Sequence, residues 1–119
     1  MIRNVVVGRL RQPSDDRQRA GDLALLQQGL AGIAALRLPG LVAMHVGANI
    51  GLRDGGWDFA ITNDWQDAGS YRAYDADIEH NRLRSEIFAV ICQEIARVQF
   101  QIDDQIPGPL PAPAADSQQ

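Results

Sequence analysis

The sequence predicts a small α+β domain, an antiparallel four-stranded sheet with helices laid against one face, and three observations predict it. Residues 57–65, WDFAITNDW, alternate with a period of two, which puts Trp57, Phe59, Ile61, Asn63 and Trp65 on one side of a pleated strand. Leu23, Leu26, Leu30 and Ile33 recur at helical spacing, as do Leu83, Ile87, Val90, Ile91 and Ile95 later in the chain. Short β-branched or alternating runs precede and follow these stretches, so strands and helices interleave along the chain.

Residues 2–10, IRNVVVGRL, form the first strand, with Ile2, Asn4, Val6, Gly8 and Leu10 on one face and Arg3, Val5, Val7 and Arg9 on the other. Both faces carry apolar residues, so the second side of the sheet is expected to be covered too, by another subunit. Gln12-Pro13 ends the strand. Ser14 is placed as a helix N-cap with Asp15 and Asp16 at the positive end of the dipole, and the helix runs to about Leu36, before Pro39-Gly40. Gly21, Gly29 and Gly32 each cost this helix up to about 1 kcal/mol relative to alanine, which packing has to offset.

Leu41 to Asn49 reads as the second strand and GANIGLRDGG as a connection into the third. Those glycines are no phosphate loop, because a strand follows them and not a helix N-terminus. Asp67 caps a second helix in which Tyr71 and Tyr74 share a face. The pattern breaks at residues 75–78 and resumes with Glu79, which puts His80 in the first turn of a new helix beside Tyr74. Val98, Phe100 and Ile102 alternate with Arg97, Gln99 and Gln101 as a closing strand. The order βαββαβ is the ferredoxin-like pattern. From residue 103 the composition changes, with proline at 107, 109, 111 and 113, so residues 1–102 are the domain and 103–119 a Pro-rich flexible tail.

A net charge of −4 with acids and arginines mixed along the chain argues against a nucleic-acid surface. All eleven basic residues are arginine, which excludes a Schiff-base lysine. No apolar run approaches the roughly 20 residues of a membrane helix, and no signal peptide is apparent, so no membrane is expected as partner and the cytoplasm is the expected compartment. The single cysteine, Cys92, lies in an apolar stretch read as helix and is expected to be inert. Two histidines and one cysteine are too few for a zinc site, so no metal is expected.

His80 is the candidate base, since an ordinary imidazole titrates near neutrality, and Tyr74 is the candidate to orient it or donate to a developing enolate. Asp75, Asp77 and Glu79 stand close enough to raise the pKa of His80. His45, between Met44 and Val46, is expected at an interface. Trp57, Phe59, Trp65, Tyr71 and Tyr74 are five of seven aromatic residues, and either an aromatic pocket or a filled core accounts for them.

Taken together, MIRNVVVGRL, the run LPGLVAMHVGANIGLRDGGWDFAITNDWQD with its Gly47 and Gly56-Trp57-Asp58, and Tyr74 followed six residues later by His80 resemble the stress-responsive dimeric α/β-barrel (Dabb) domains over residues 1 to about 102. The resemblance implies a ferredoxin-like protomer whose sheet packs on a second protomer's sheet to make a barrel. It also implies an apolar cavity for a small aromatic or polyketide-like molecule. Some relatives are plant polyketide cyclases that close a ring by an aldol reaction with no metal or organic cofactor. The residue matching His80 is their general base and the one matching Tyr74 its hydrogen-bonded partner. The expected cavity lining is Asn4, Val6, Phe59, Ile61, Trp57 and Tyr71. Asn4 stands where the family often has histidine, Asp77-Ile78 where it has a His-Pro pair, and Phe59 where the cyclase has histidine. These departures keep two other readings open, a non-catalytic stress or assembly dimer and a cofactor-free monooxygenase on the same architecture.

Overall fold

The chain folds as β1 (Ile2–Leu10), α1 (Asp16–Ala35), β2 (Leu41–Ala48), β3 (Phe59–Trp65), α2 (Ala68–Asp75), α3 (Ile78–Leu83) and β4 (Cys92–Gln101) in a computed structural model that describes residues 1–102. Between α3 and β4 the helix continues through a π-helical turn, Arg84–Phe88, and a last turn, Ala89–Ile91. The sheet order is β2-β3-β1-β4 with every neighbour antiparallel, which is the ferredoxin-like arrangement. The tail expected at 103–119 lies outside the described residues. No helix among the described residues is long and apolar enough to cross a membrane.

One face of the sheet is covered. Leu26, Leu30 and Ile33 of α1 pack with Phe59 and Ile61 of β3 and with Leu83, Ile87, Phe88 and Ile91 of the last helical stretch, all of them buried. Each such side chain contributes about 1.5–3 kcal/mol on leaving water. Gly29 and Gly32 explain the helix's tolerance of glycine: a Cβ at Gly29 would lie 2.9 Å from the Phe88 ring and one at Gly32 2.8 Å from Leu83, so α1 approaches its neighbour closely only because both lack side chains. Gly21 faces open space.

Several local expectations are corrected. Asp15, not Ser14, caps α1, its Oδ1 accepting the Gln18 N–H at 2.8 Å while Gln18 Oε1 reaches back to Ser14 N–H. Leu23 is 47% exposed, and the inward position beside it is taken by Asp22, which the Arg11 guanidinium satisfies in a bidentate pair at 2.9 and 3.1 Å. That pairing holds the Asp22 carboxyl below its usual range. Asp77 caps α3 by accepting the His80 N–H, so the helix resumes at Ile78 and not at Glu79. The last helix ends at Ile91 and passes into β4 with no connecting residue, which makes Cys92 and Ile95 strand residues and leaves Val90 exposed.

The alternation of β4 is where the sheet departs most from simple expectation. In register with β1, Val98 pairs with Val5 and Phe100 with Arg3 on the face away from the helices, whereas Arg97 and Gln99 pair with Val6 and Asn4 on the helix-covered face. Cys92 and Ile95 pack against the core from this strand, while farther along Arg97 and Gln99, on the helix side, are exposed and Val98 and Phe100 on the other side are 52% and 44% exposed. Beside them Val5, Val7, Ala60 and Thr62 continue the uncovered face, with Asp64 held there by Arg3 at 2.8 and 2.9 Å.

Candidate functional site

Capping by Asp77 starts α3 so that its third residue, His80, stands over the end of α2 with its ring centroid 4.2 Å from that of Tyr74. Tyr74 packs in turn on Trp65 at 4.8 Å. These rings meet the inner face of the sheet at a half-enclosed cavity of about 40 Å³, room for roughly two or three water molecules. Val6, Phe59 and Ile61 line it from the sheet, His80 and Tyr74 from the helices, and Arg84 and Arg97 supply its only charged side chains.

The remaining residues expected at the cavity lie elsewhere. Asn4 is buried behind it in a polar network, Tyr71 lines a separate hollow with Ile2, Gln99 and Phe100, and Trp57 stands on the opposite side of the sheet. Trp57 precedes β3, where the period-two alternation does not yet hold, and its ring takes the Arg9 guanidinium at 4.3 Å. With Val7, His45, Ala60 and Thr62 it bounds an open concavity of about 500 Å³ on the uncovered face, so His45 faces outward.

Burial dominates the electrostatics of the pair. Desolvation lowers the His80 pKa below its ordinary 6.5 and Arg84 adds to the lowering, while the charge of Asp75, a weak hydrogen bond to the Asp75 backbone carbonyl and the charge of Asp77 oppose it without prevailing. The imidazole is therefore neutral at pH 7. Its Nδ1 is buried and has no hydrogen-bond partner in good geometry among the described residues. Desolvation likewise pushes the Tyr74 hydroxyl up to about 12, so it remains a phenol. Burial also raises the Cys92 thiol, to about 11, which leaves it unreactive at neutral pH.

Sequence reasoning missed the group that sets the sense of Tyr74. Asn63, 1% exposed, accepts at Oδ1 from Trp65 Nε1 at 2.6 Å and from Asn4 Nδ2 at 3.1 Å, and donates from Nδ2 to Tyr74 Oη at 3.3 Å. Gln99 Nε2 completes the network by donating to Asn4 Oδ1 at 2.9 Å. An indole N–H can only donate, so the Asn63 carbonyl must face Trp65 and its NH₂ must face Tyr74. Tyr74 Oη thus accepts from the protein and keeps its own proton to give away. The available signal was an asparagine at an inward position of the central strand, where a buried amide needs several partners.

No group of three or more metal-ligating side chains occurs among the described residues. No family model and no curated protein matches the chain. Solved structures do. A dimeric ferredoxin-like protein of unknown function from Thermobifida fusca YX is 27% identical, over 85% of this chain and 90% of that one, with a TM-score of 0.66. A Dabb family protein with a ferredoxin-like fold from Mesorhizobium loti is 17% identical over 85% and 95% of the two chains, with a TM-score of 0.59. A cofactor-independent oxygenase from Streptomyces nogalater is 16% identical over 90% and 97%, with a TM-score of 0.60. The fold is that of the dimeric ferredoxin-like proteins.

Proposed function

We propose that two copies of this chain pack sheet on sheet as a Dabb-type barrel, and that the cavity in each copy binds a small carbonyl compound, aromatic or polyketide-like, whose proton His80 removes. One observation carries this reading: a neutral imidazole with a buried, unpartnered nitrogen lines an apolar cavity beside a tyrosine whose hydroxyl proton is uncommitted. The ring nitrogen's lone pair takes a proton from the carbon next to the carbonyl, and the C–H electrons pass to the carbonyl oxygen. Tyr74 donates its hydrogen bond to that oxygen as charge develops there. The cavity admits only the reacting end of a molecule, so a longer or aromatic remainder extends out of the mouth past Arg84 and Arg97.

The enolate so formed can add to a second carbonyl of the same molecule, closing a ring as a cyclase does without cofactor. It can also react with dioxygen, and the structural likeness to a cofactor-independent oxygenase favours that as the second reading. A dimer that binds without turnover is the remaining alternative. The test is deuterium incorporation next to the carbonyl of butan-2-one in D₂O, with wild-type protein and His80→Ala. Catalysed exchange that falls by about 10²-fold or more in the variant supports the base, since positioned proton transfer is worth about 10²–10⁴. Exchange no faster than in buffer overturns it.

A further inference from the structure

We propose that the cavity selects a small oxo acid over a neutral ketone, with the carboxylate held by Arg84 and Arg97 at the mouth and the carbonyl turned inward to Tyr74 and His80. This rests on the reading of His80 as a base for the ligand's orientation alone; the selection for negative charge stands on the arginines.

Arg97 is the stronger observation. It lies on the helix-covered face of β4 opposite Val6, two residues after Ile95, which lines the same cavity. Arg97 and Arg84 are both exposed, so their guanidinium groups stand at the open side of the cavity they line, within reach of an anion arriving from solvent. Arg84 and Arg97, like Arg17, Arg19, Arg37, Arg53 and Arg72, form no ion pair among the described residues, and of these seven only Arg84 and Arg97 line the cavity.

Arg84 comes from an independent element and reaches the same hole. It opens the π-helical turn, one turn beyond His80, and both it and Phe88 at the end of that turn line the cavity. Single π turns are rare and concentrate at functional sites, because the extra residue re-aims the side chains around it.

No carboxylate lines the cavity, in a chain whose net charge is −4. Asp77 is occupied in capping α3, and Asp75, whose charge reaches His80, Tyr71 and Tyr74, lies at the end of α2 outside the lining. Two forked guanidinium groups at the rim of an apolar hole match a carboxylate's paired oxygens. The volume of about 40 Å³ limits what goes beyond them to a few heavy atoms.

The probes are 4-oxopentanoate and its neutral counterpart pentan-2-one, titrated into the full chain while the His80 ring protons are followed by NMR. With two histidines in the chain, His45→Gln assigns the signals. The oxo acid is expected to bind at least about tenfold more tightly, the worth of one charge-assisted hydrogen bond. Arg97→Gln and Arg84→Gln should each remove most of that preference, and Arg97→Lys should keep part of it. Both arginines are exposed, so the folded state should survive; should Arg97→Gln melt early, Arg84→Gln and Arg97→Lys carry the comparison.

Equal binding of the two probes, or a preference untouched by both glutamine variants, overturns the inference. Charge-selective binding with no deuterium exchange overturns the proton-abstraction reading and leaves this one standing. Exchange of pentan-2-one as fast as of 4-oxopentanoate, indifferent to Arg97→Gln, does the reverse.

Discussion

Trp65 Nε1 donates to Asn63 Oδ1 at 2.6 Å, and this one bond orients an amide that touches three other groups. Replacing Asn63 by Leu keeps the volume but strands the Trp65 indole N–H and an Asn4 amide hydrogen in the core. The expected cost is about 1–3 kcal/mol, the penalty for a buried polar group left without its partner. Urea denaturation measures it, and an unchanged midpoint would show that the network is not holding the strand.

Tyr74→Phe removes only a hydroxyl, so it should lower proton exchange less than His80→Ala does, with the same sign. His80→Ala should cost little stability, because the ring lines a cavity and its Nδ1 has no hydrogen-bond partner in good geometry among the described residues. A large drop in melting temperature with ligand binding unchanged would assign His80 a packing role instead.

The His80 pKa is lowered by burial, which fixes the direction of its pH dependence. Its contribution to stability is fully present above the unfolded value of 6.5 and is lost as pH falls through the lower folded value. Stability compared between wild type and His80→Ala should therefore diverge with acidification below pH 6.5, the wild type losing more. Proton abstraction should persist somewhat below pH 6.5, since the folded imidazole is still neutral there. A rate that already falls on the alkaline side of 6.5 would contradict the buried imidazole.

The glycines of α1 separate propensity from packing. Gly21→Ala meets open space and should stabilise by up to about 1 kcal/mol. Gly29→Ala gains the same propensity but puts its Cβ 2.9 Å from Phe88 and 3.0 Å from Ile87, and overpacking of that kind costs about 1–3 kcal/mol. The two variants should move the melting temperature in opposite directions.

Val98→Glu addresses the uncovered face. Sedimentation of the wild type at micromolar concentration should give a mass near twice the 13.0 kDa chain, and the variant should run as a single chain. A wild-type monomer would remove the reason for the apolar side of β4.

Much of this was legible in the sequence because it follows from period alone. The alternation of Phe59, Ile61, Asn63 and Trp65 gave the inner face of β3, and Asp67 gave the start of α2. The proximity of His80 to Tyr74 followed from the break at residues 75–78. Period does not say which way a strand faces, however, and Val98-Gln99-Phe100 reads equally well in either orientation until its pairing with β1 is known. Nor does it reveal a π turn, whose extra residue leaves the apolar spacing of Leu83, Ile87 and Ile91 intact. Those two features hide Arg84 and Arg97 from a reading of period, and Trp57 lies on the other face because the alternation of β3 does not extend back beyond Phe59.

Because β4 carries Arg97 on one side and Val98 on the other, its register is checked twice. A slip of one residue along β1 would push Val98 under the helices and turn Arg97 out to the surface in the same step. In the proposed pair, a copy with a misaligned β4 would lack its mating surface as well as its binding groups. Such a copy would be left out of the proposed pair, so pairing would select for chains whose cavity is correctly assembled.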